Sequence, residues 1–372
     1  MPDASTLTRS ASAGPVTATA GRRRAARPWP GARAARSPAW APGVRRWAGL
    51  LVLAALLASA LAASVALGSV RIGLGDVLAA FISFDGSNEH VIVRDLRVPR
   101  TLLGVVVGAG LALSGALMQG LTRNALADPG ILGISQGASL AVVLAILLLG
   151  VSSTAGYIWF AFAGAAVAAI VVHLLGGTGD PRSAPVTLAL AGSALAAFLM
   201  ALTSAVLVLD ATTLDQYRFW VVGSLAGRDM DVFWSVVPFV AAGLLLALGA
   251  GRWLNALGLG EDVARSLGVR LDAVRALVAL AVVLLAGASV AAAGPIGFVG
   301  LAVPHAVRMV VGADWRWVLA YCALAGPVLL LTADVLGRLV VPPGELQVGI
   351  VTALVGVPVF VALARRRRLA EL

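Results

Sequence analysis

The stretch Ala48-Gly-Leu-Leu-Val-Leu-Ala-Ala-Leu-Leu-Ala-Ser-Ala-Leu-Ala-Ala-Ser-Val-Ala-Leu67 runs 20 residues without a single charge. A helix needs about 20 apolar residues to cross the ~30 Å hydrocarbon layer of a bilayer. Lipid offers no partner to a backbone N–H or C=O, so only helices and closed barrels can span it. The apolar residues here are continuous rather than alternating, which selects a helix. Comparable blocks recur at Leu102–Leu117, Ala138–Val151 and Ala276–Ala293. The whole chain of 372 residues is 60% hydrophobic and only 12% charged, with a mean hydropathy of +0.95. A soluble domain of this length needs far more polar surface.

Extending outward from that block, the pattern predicts an all-α polytopic membrane protein with about ten spans. They fall at 47–67, 100–120, 131–150, 156–176, 186–209, 232–251, 273–293, 298–312, 317–337 and 348–364. The eighth is short and carries Pro304 and His305, so a broken or tilted helix is expected. Residues 1–46 are rich in Ala, Arg, Pro and Ser, with Asp3 the only acid, and read as a disordered cytoplasmic tail before a membrane domain at 47–372. The tail is not a secretory signal, because the first apolar block begins too late. All 28 basic residues are arginine. With the N-terminus inside, 21 of them fall in the tails and cytoplasmic loops, including Arg365–Arg368, and 7 fall outside. That asymmetry predicts both termini in the cytoplasm, and it assigns the net charge of +10 to membrane orientation rather than to nucleic acid. Trp47, Trp220, Trp234, Trp253, Trp315 and Trp317 sit at predicted span ends, where amphipathic rings favour the interface. Gly104-x-x-x-Gly108 allows two helices to approach closely. The single cysteine, Cys322, lies inside a span, which excludes a disulfide framework within the chain and a multi-cysteine metal site.

Several chemistries are missing. Without lysine there is no G-x-x-x-x-G-K-[ST] phosphate loop, so the chain does not hydrolyse ATP by that route. No H-E-x-x-H or G-x-S-x-G pattern occurs, and His90, His173 and His305 are far apart in sequence. A membrane enzyme would need a cluster of such groups at one face. A proton- or sodium-coupled carrier places ionisable groups near the midplane; here Asp334 falls near the outer end of span nine and Asp210 at the end of span five. What remains is a passive conduit that another protein must drive, with one surface for a motor and one for a substrate donor.

One connector is too polar to span: Leu254-Asn-Ala-Leu-Gly-Leu-Gly-Glu-Asp-Val-Ala-Arg-Ser-Leu-Gly-Val269. Gly260 precedes Glu261 and Asp262, acids suited to a helix N-terminus. Val263 and Leu267 share a face at i, i+4, and Gly268 supplies a stop. A short helix pinned between two spans follows, either an ordinary amphipathic connector or a lever for a soluble partner.

This connector resembles the coupling loop of the iron-siderophore, haem and cobalamin importer permeases, the FecCD permease family. Other blocks resemble the same family in the same order: Leu96-Arg-Val-Pro-Arg100, Gly108-Ala-Gly-Leu-Ala-Leu-Ser-Gly-Ala-Leu-Met-Gln119, Asn124-Ala-Leu-Ala-Asp-Pro-Gly-Ile-Leu-Gly-Ile-Ser-Gln-Gly137, Trp220-Val-Val-Gly-Ser224, Gly294-Pro-Ile-Gly-Phe-Val-Gly-Leu-Ala-Val-Pro-His305, Asp334-Val-Leu-Gly-Arg338 and Val348-Gly-Ile-Val-Thr-Ala-Leu-Val-Gly-Val-Pro-Val-Phe360. The resemblance covers about residues 47–368. It implies the ten-span permease fold of type II ABC importers, with iron-siderophore-type chelates as cargo and haem or cobalamin as the alternative.

The same resemblance implies four kinds of partner and no cofactor on this chain. A second permease subunit, identical or paralogous, pairs around the pathway; two ABC ATPase subunits consume the ATP; an extracytoplasmic binding protein delivers the cargo; lipid surrounds the bundle. Arg97, Arg100 and, more loosely, Arg338 match arginines that dock acidic residues of the binding protein, a task suited to guanidinium forks; the alternative is anchoring at lipid headgroups. Asn124 and Leu126 match a cytoplasmic gate, although Ala125 stands where the family commonly has proline, and Ser183–Val186 would form a second constriction. Glu261, Asp262, Val263, Ala264, Arg265 and Leu267 would meet the ATPase. Gly294–Gly300 reads as a re-entrant turn at the outer face, and His305 as a satisfied buried histidine rather than an iron ligand.

Overall fold

A computed structural model describes residues 42–365, except 69, 71, 152, 177–183 and 343. The expected tail up to residue 41, Arg182 and Ser183, and the last three arginines of the Arg365–Arg368 cluster lie outside the described residues.

Among the described residues, apolar helices stand at all ten expected places, seven of them long enough to cross a membrane and three shorter. They are connected by three small helices. In chain order the helices are α1 (Pro42–Ala66), α2 (Leu74–Ile82), α3 (Asn88–Thr122), α4 (Ile134–Leu149), α5 (Thr154–Gly176), α6 (Ala184–Leu209), α7 (Ala211–Val221), α8 (Met230–Gly258), α9 (Glu261–Ser266), α10 (Leu271–Ala293), α11 (Val299–Val311), α12 (Trp315–Val340) and α13 (Val348–Arg365).

The bundle is organised around α3. Its contacts with α12 are the most extensive in the fold, and α8, α10 and α11 complete its cage. Small residues make this possible. A Cβ at Gly108 would lie 2.8 Å from the backbone of Gly326, and one at Gly115 would collide with the carbonyl of Gly300. The backbones therefore touch, which is how helices associate when surrounding lipid is as apolar as their side chains. By contrast α1 is almost wholly peripheral, with 6% of its apolar window buried against 83% for α3.

The predicted break near Pro304 falls elsewhere. Pro304 sits inside a continuous α11, and the interruption is the segment 294–298 before it. Proline removes the N–H that would bond Gly300 four residues back. The Gln119 amide nitrogen of α3 lies 3.4 Å from that freed carbonyl and 3.3 Å from the next, at Leu301. Phe298, the residue before α11, has a left-handed backbone (φ 68), unusual for a bulky side chain. Both ends of the irregular segment are tied to the flanking helices: Gly294 N donates to Val290 O at 2.8 Å, and Phe298 O accepts from Ala302 N at 2.8 Å.

Candidate functional sites at the two ends of the bundle

At the end where α1 finishes and α3 begins, the governing fact is that a helix leaves its last four carbonyls without intrahelical partners. Two arginines from other helices supply them to α1. Arg97 Nη1 donates to Val65 O at 2.8 Å and Ala66 O at 2.7 Å. Arg338 Nη1 donates to Ser64 O and Leu67 O, both at 3.0 Å. Positive charge at a helix C-terminus also complements its dipole. This clamp attaches the otherwise exposed α1 to the bundle. A π-helical turn, Ile92–Arg97, lies within α3 just where Arg97 must turn toward α1.

The counter-charge is Asp334 on α12, whose side chain is 1% exposed. Arg100 reaches its carboxylate through Nε and through Nη2 at 2.8 Å, and Arg338 reaches it one helical turn away at 3.0 Å. Arg100 also donates Nη1 to Glu345 at 2.8 Å. Buried charges on both sides are thus paired, the condition under which an ion cluster is tolerated away from water.

The three arginines expected to point outward are therefore turned inward. Arg97 and Arg338 are buried (5% and 4% exposed), because the α1 carbonyls and Asp334 require them. Arg100 and Glu345 form the most accessible edge of the cluster. The i, i+4 spacing of Asp334 and Arg338 was the sequence signal for this inward pairing.

At the opposite end, α3 stops at Arg123, which adopts a left-handed conformation (φ 51, ψ 33). The next residues form a tight local turn: the Asn124 side-chain oxygen accepts from Leu126 N at 2.9 Å. Asp128 then accepts from Gly130 N at 2.8 Å and starts a short 3₁₀ turn, Pro129–Leu132. Burial pushes the Asp128 carboxyl above the usual carboxylate range, with the Gly130 hydrogen bond acting against it. Asn124 and Leu126 are both exposed, while Ala125 between them is buried.

The expected connector helix exists as α9, bounded by two glycines of positive φ, Gly260 (104°) and Gly268 (80°). Its faces are sharply divided. Asp262, Val263 and Leu267 project outward, the first with a side chain 92% exposed. Ala264 and Glu261, expected on the partner-facing side, turn inward instead. Ala264 is fully buried, and Glu261 is surrounded by Arg275 at 2.7 Å, Arg265 at 3.3 Å and Arg123 at 4.0 Å. Arg265 is half exposed and also pairs with Asp262 at 3.2 Å. Beside this cluster opens a cavity of about 740 Å³, mostly apolar, whose polar lining includes Asn124, His173, Glu261 and Arg275.

Gln119 on α3 was missed by sequence reasoning. It also accepts from Arg308 Nη2 at 2.8 Å, the guanidinium lying 5.4 Å from the Trp315 ring centre. The bond joins α3 to α11, with the Trp315 ring of α12 beside it, and only the packing reveals it. His305 is partly buried one turn before Arg308, and no cluster of metal-ligating side chains occurs among the described residues.

Residues 54–366 match the FecCD transport family. The "Probable siderophore transport system permease protein YfiZ" of Bacillus subtilis (strain 168) is 44% identical over 86% of this chain and 96% of its own length. The "Ferric enterobactin transport system permease protein FepD" of Escherichia coli (strain K12) is 46% identical over 85% of this chain and 94% of its own. A solved structure described as "An inward-facing conformation of a putative metal-chelate type ABC transporter" superposes with a TM-score of 0.74 at 30% identity, covering 85% of this chain and 98% of that one.

Proposed function

The chain belongs to the FecCD transport family, and from that premise we propose that it is the membrane-spanning permease subunit of an ATP-driven importer of iron-siderophore-type chelates. It supplies the conduit, and separate ATPase subunits supply the energy. The observation that carries this reading is α9. A six-residue helix held between two glycines of left-handed backbone presents Asp262, Val263 and Leu267 to a soluble partner while Glu261 and Ala264 seat it on the bundle. Val263 and Leu267, 44% and 63% exposed, are the apolar side chains that a docked partner would cover.

On this reading the Glu261 end faces the cytoplasm, both termini are cytoplasmic, and the ATPases dock on α9. A second permease, identical or paralogous, completes the pathway. The binding protein docks at the Arg100 end. There Arg100 is the guanidinium with an exchangeable partner: a carboxylate on the incoming protein can replace Glu345 without uncovering Asp334. Arg97 and Arg338 hold α1 and set the shape of that surface. Asn124 and Leu126 border the exit, and the chain binds no cofactor of its own.

The test is uptake of ferric siderophore by cells in which this gene is deleted and restored. Restoration should return uptake that stops when ATP is depleted and persists when the proton gradient alone is collapsed. Uptake that follows the gradient and ignores ATP would make the chain a secondary carrier.

A further inference from the structure

We propose that Glu261 is the joint through which α9 moves the exit loop: its carboxylate ties the partner-bearing helix to Arg123, the residue from which the Asn124–Asp128 turn departs. This rests on the reading of the chain as a driven permease, and it assigns to Glu261 a positioning role distinct from contact with the motor.

Four observations converge. Glu261 is the first residue of α9, yet its side chain is only 18% exposed and faces the bundle rather than a partner. One oxygen, Oε1, serves two different elements: it takes Arg275 of α10 at 2.7 Å and Arg123 at the end of α3 at 4.0 Å. The other, Oε2, takes Arg265 of α9 itself at 3.3 Å. The carboxylate thus gathers three cations from three elements. Arg123 ends α3 in a left-handed conformation, uncommon for a non-glycine residue, and so sets the direction in which the loop leaves the helix. The side chain that reaches Glu261 and the backbone that launches the loop belong to the same residue. Finally, Glu261 and Asn124 both line the 740 Å³ cavity, so a shift between α9 and the loop changes the volume of that space directly.

The geometry suits a joint better than a brace. The Glu261–Arg275 contact is short and half-shielded, whereas the Glu261–Arg123 contact is at the edge of ion-pair range and its arginine is 46% exposed. The first keeps α9 attached to α10. The second tightens or parts with small displacement and at little cost, as partly exposed pairs do. Flanking glycines let α9 rotate as a unit: a Cβ at Gly260 or Gly268 would meet nothing within 4 Å, so both positions are chosen for backbone conformation, not packing.

The experiment compares Glu261→Gln and Arg123→Gln with Asp272→Asn. The last removes an exposed carboxylate from Arg275 without touching the link between α9 and the loop. On the purified chain in lipid, amide hydrogen exchange over residues 124–127 should accelerate about fivefold in the first two variants, the factor an ion pair of this exposure supplies at its upper end, and stay unchanged in the third. In the assembled importer, the first two should move fewer chelates per ATP hydrolysed while hydrolysis continues. Arg123→Gln leaves α9 seated through Arg275, so it decides the question even if Glu261→Gln assembles poorly. Unchanged exchange in Arg123→Gln overturns the link. Changed exchange with an unchanged transport-to-hydrolysis ratio overturns its role in transmission. An importer with wild-type sequence that shows no ATP-driven uptake refutes the proposed function instead, and the exchange arm still judges the link.

Discussion

The two ends of the bundle use the same chemistry, arginine on carboxylate, under opposite conditions. At one end Asp334 is buried, held by two guanidiniums at 2.8 and 3.0 Å, and surrounded by arginines that also close the carbonyl end of α1. At the other, Glu261 has one tight contact and two at 3.3 and 4.0 Å, and it borders a cavity. Burial fixes the first cluster, because every parted ion would be left without water. Partial exposure frees the second, because solvent can replace any partner that moves away. On the proposed reading the first end keeps a constant shape for recognition, and the second is the region that answers a push.

The comparison can be broken most forcefully at its rigid half. Asp334→Ala leaves Arg100 and Arg338 facing each other without their buried carboxylate; a loss of about 3–5 kcal/mol is expected, seen as a large fall in the amount of inserted, detergent-stable protein. Gly108→Val drives a side chain into the Gly326 backbone and should cost about 1–3 kcal/mol or more, read as a lowered unfolding temperature in detergent. Moving to the pliable half, Asn124→Ala removes the bond that closes the turn after α3. About 0.5–1.5 kcal/mol of local order should be lost, visible as faster exchange at Leu126 with an unchanged unfolding temperature. The smallest effect belongs to Asp272→Asn, whose fully exposed carboxylate sits 3.6 Å from Arg275; uptake should match the unsubstituted protein. Equal sensitivity at Asp334 and Asp272 would erase the distinction between the ends.

The places of all ten apolar helices were legible as hydrophobic stretches, even where Pro304, His305 and Arg308 interrupt α11, because lipid demands an apolar segment per crossing. The small α2 and α7 were not anticipated. They carry charges such as Asp76 and Asp215 and lack the length that announces a span. The i, i+4 spacing placed Val263 and Leu267 on one face of a short helix, and both side chains are exposed. Arg97 was expected at the outer surface because it matches the family's docking arginines. What reversed it was the set of unpaired α1 carbonyls, some thirty residues earlier, whose position only the packing reveals. Glu261 was misdirected for a similar reason. Its helix-start position was visible in the sequence, while its partners Arg123 and Arg275 arrive from other elements.

The most direct measurement of the central claim, a conduit that must be driven from outside, is accumulation of ferric siderophore in sealed liposomes. The chain reconstituted alone should show none above the external concentration, and the chain assembled with its ATPase and binding protein should accumulate cargo only when ATP is present. Uphill accumulation by the chain alone would contradict the account.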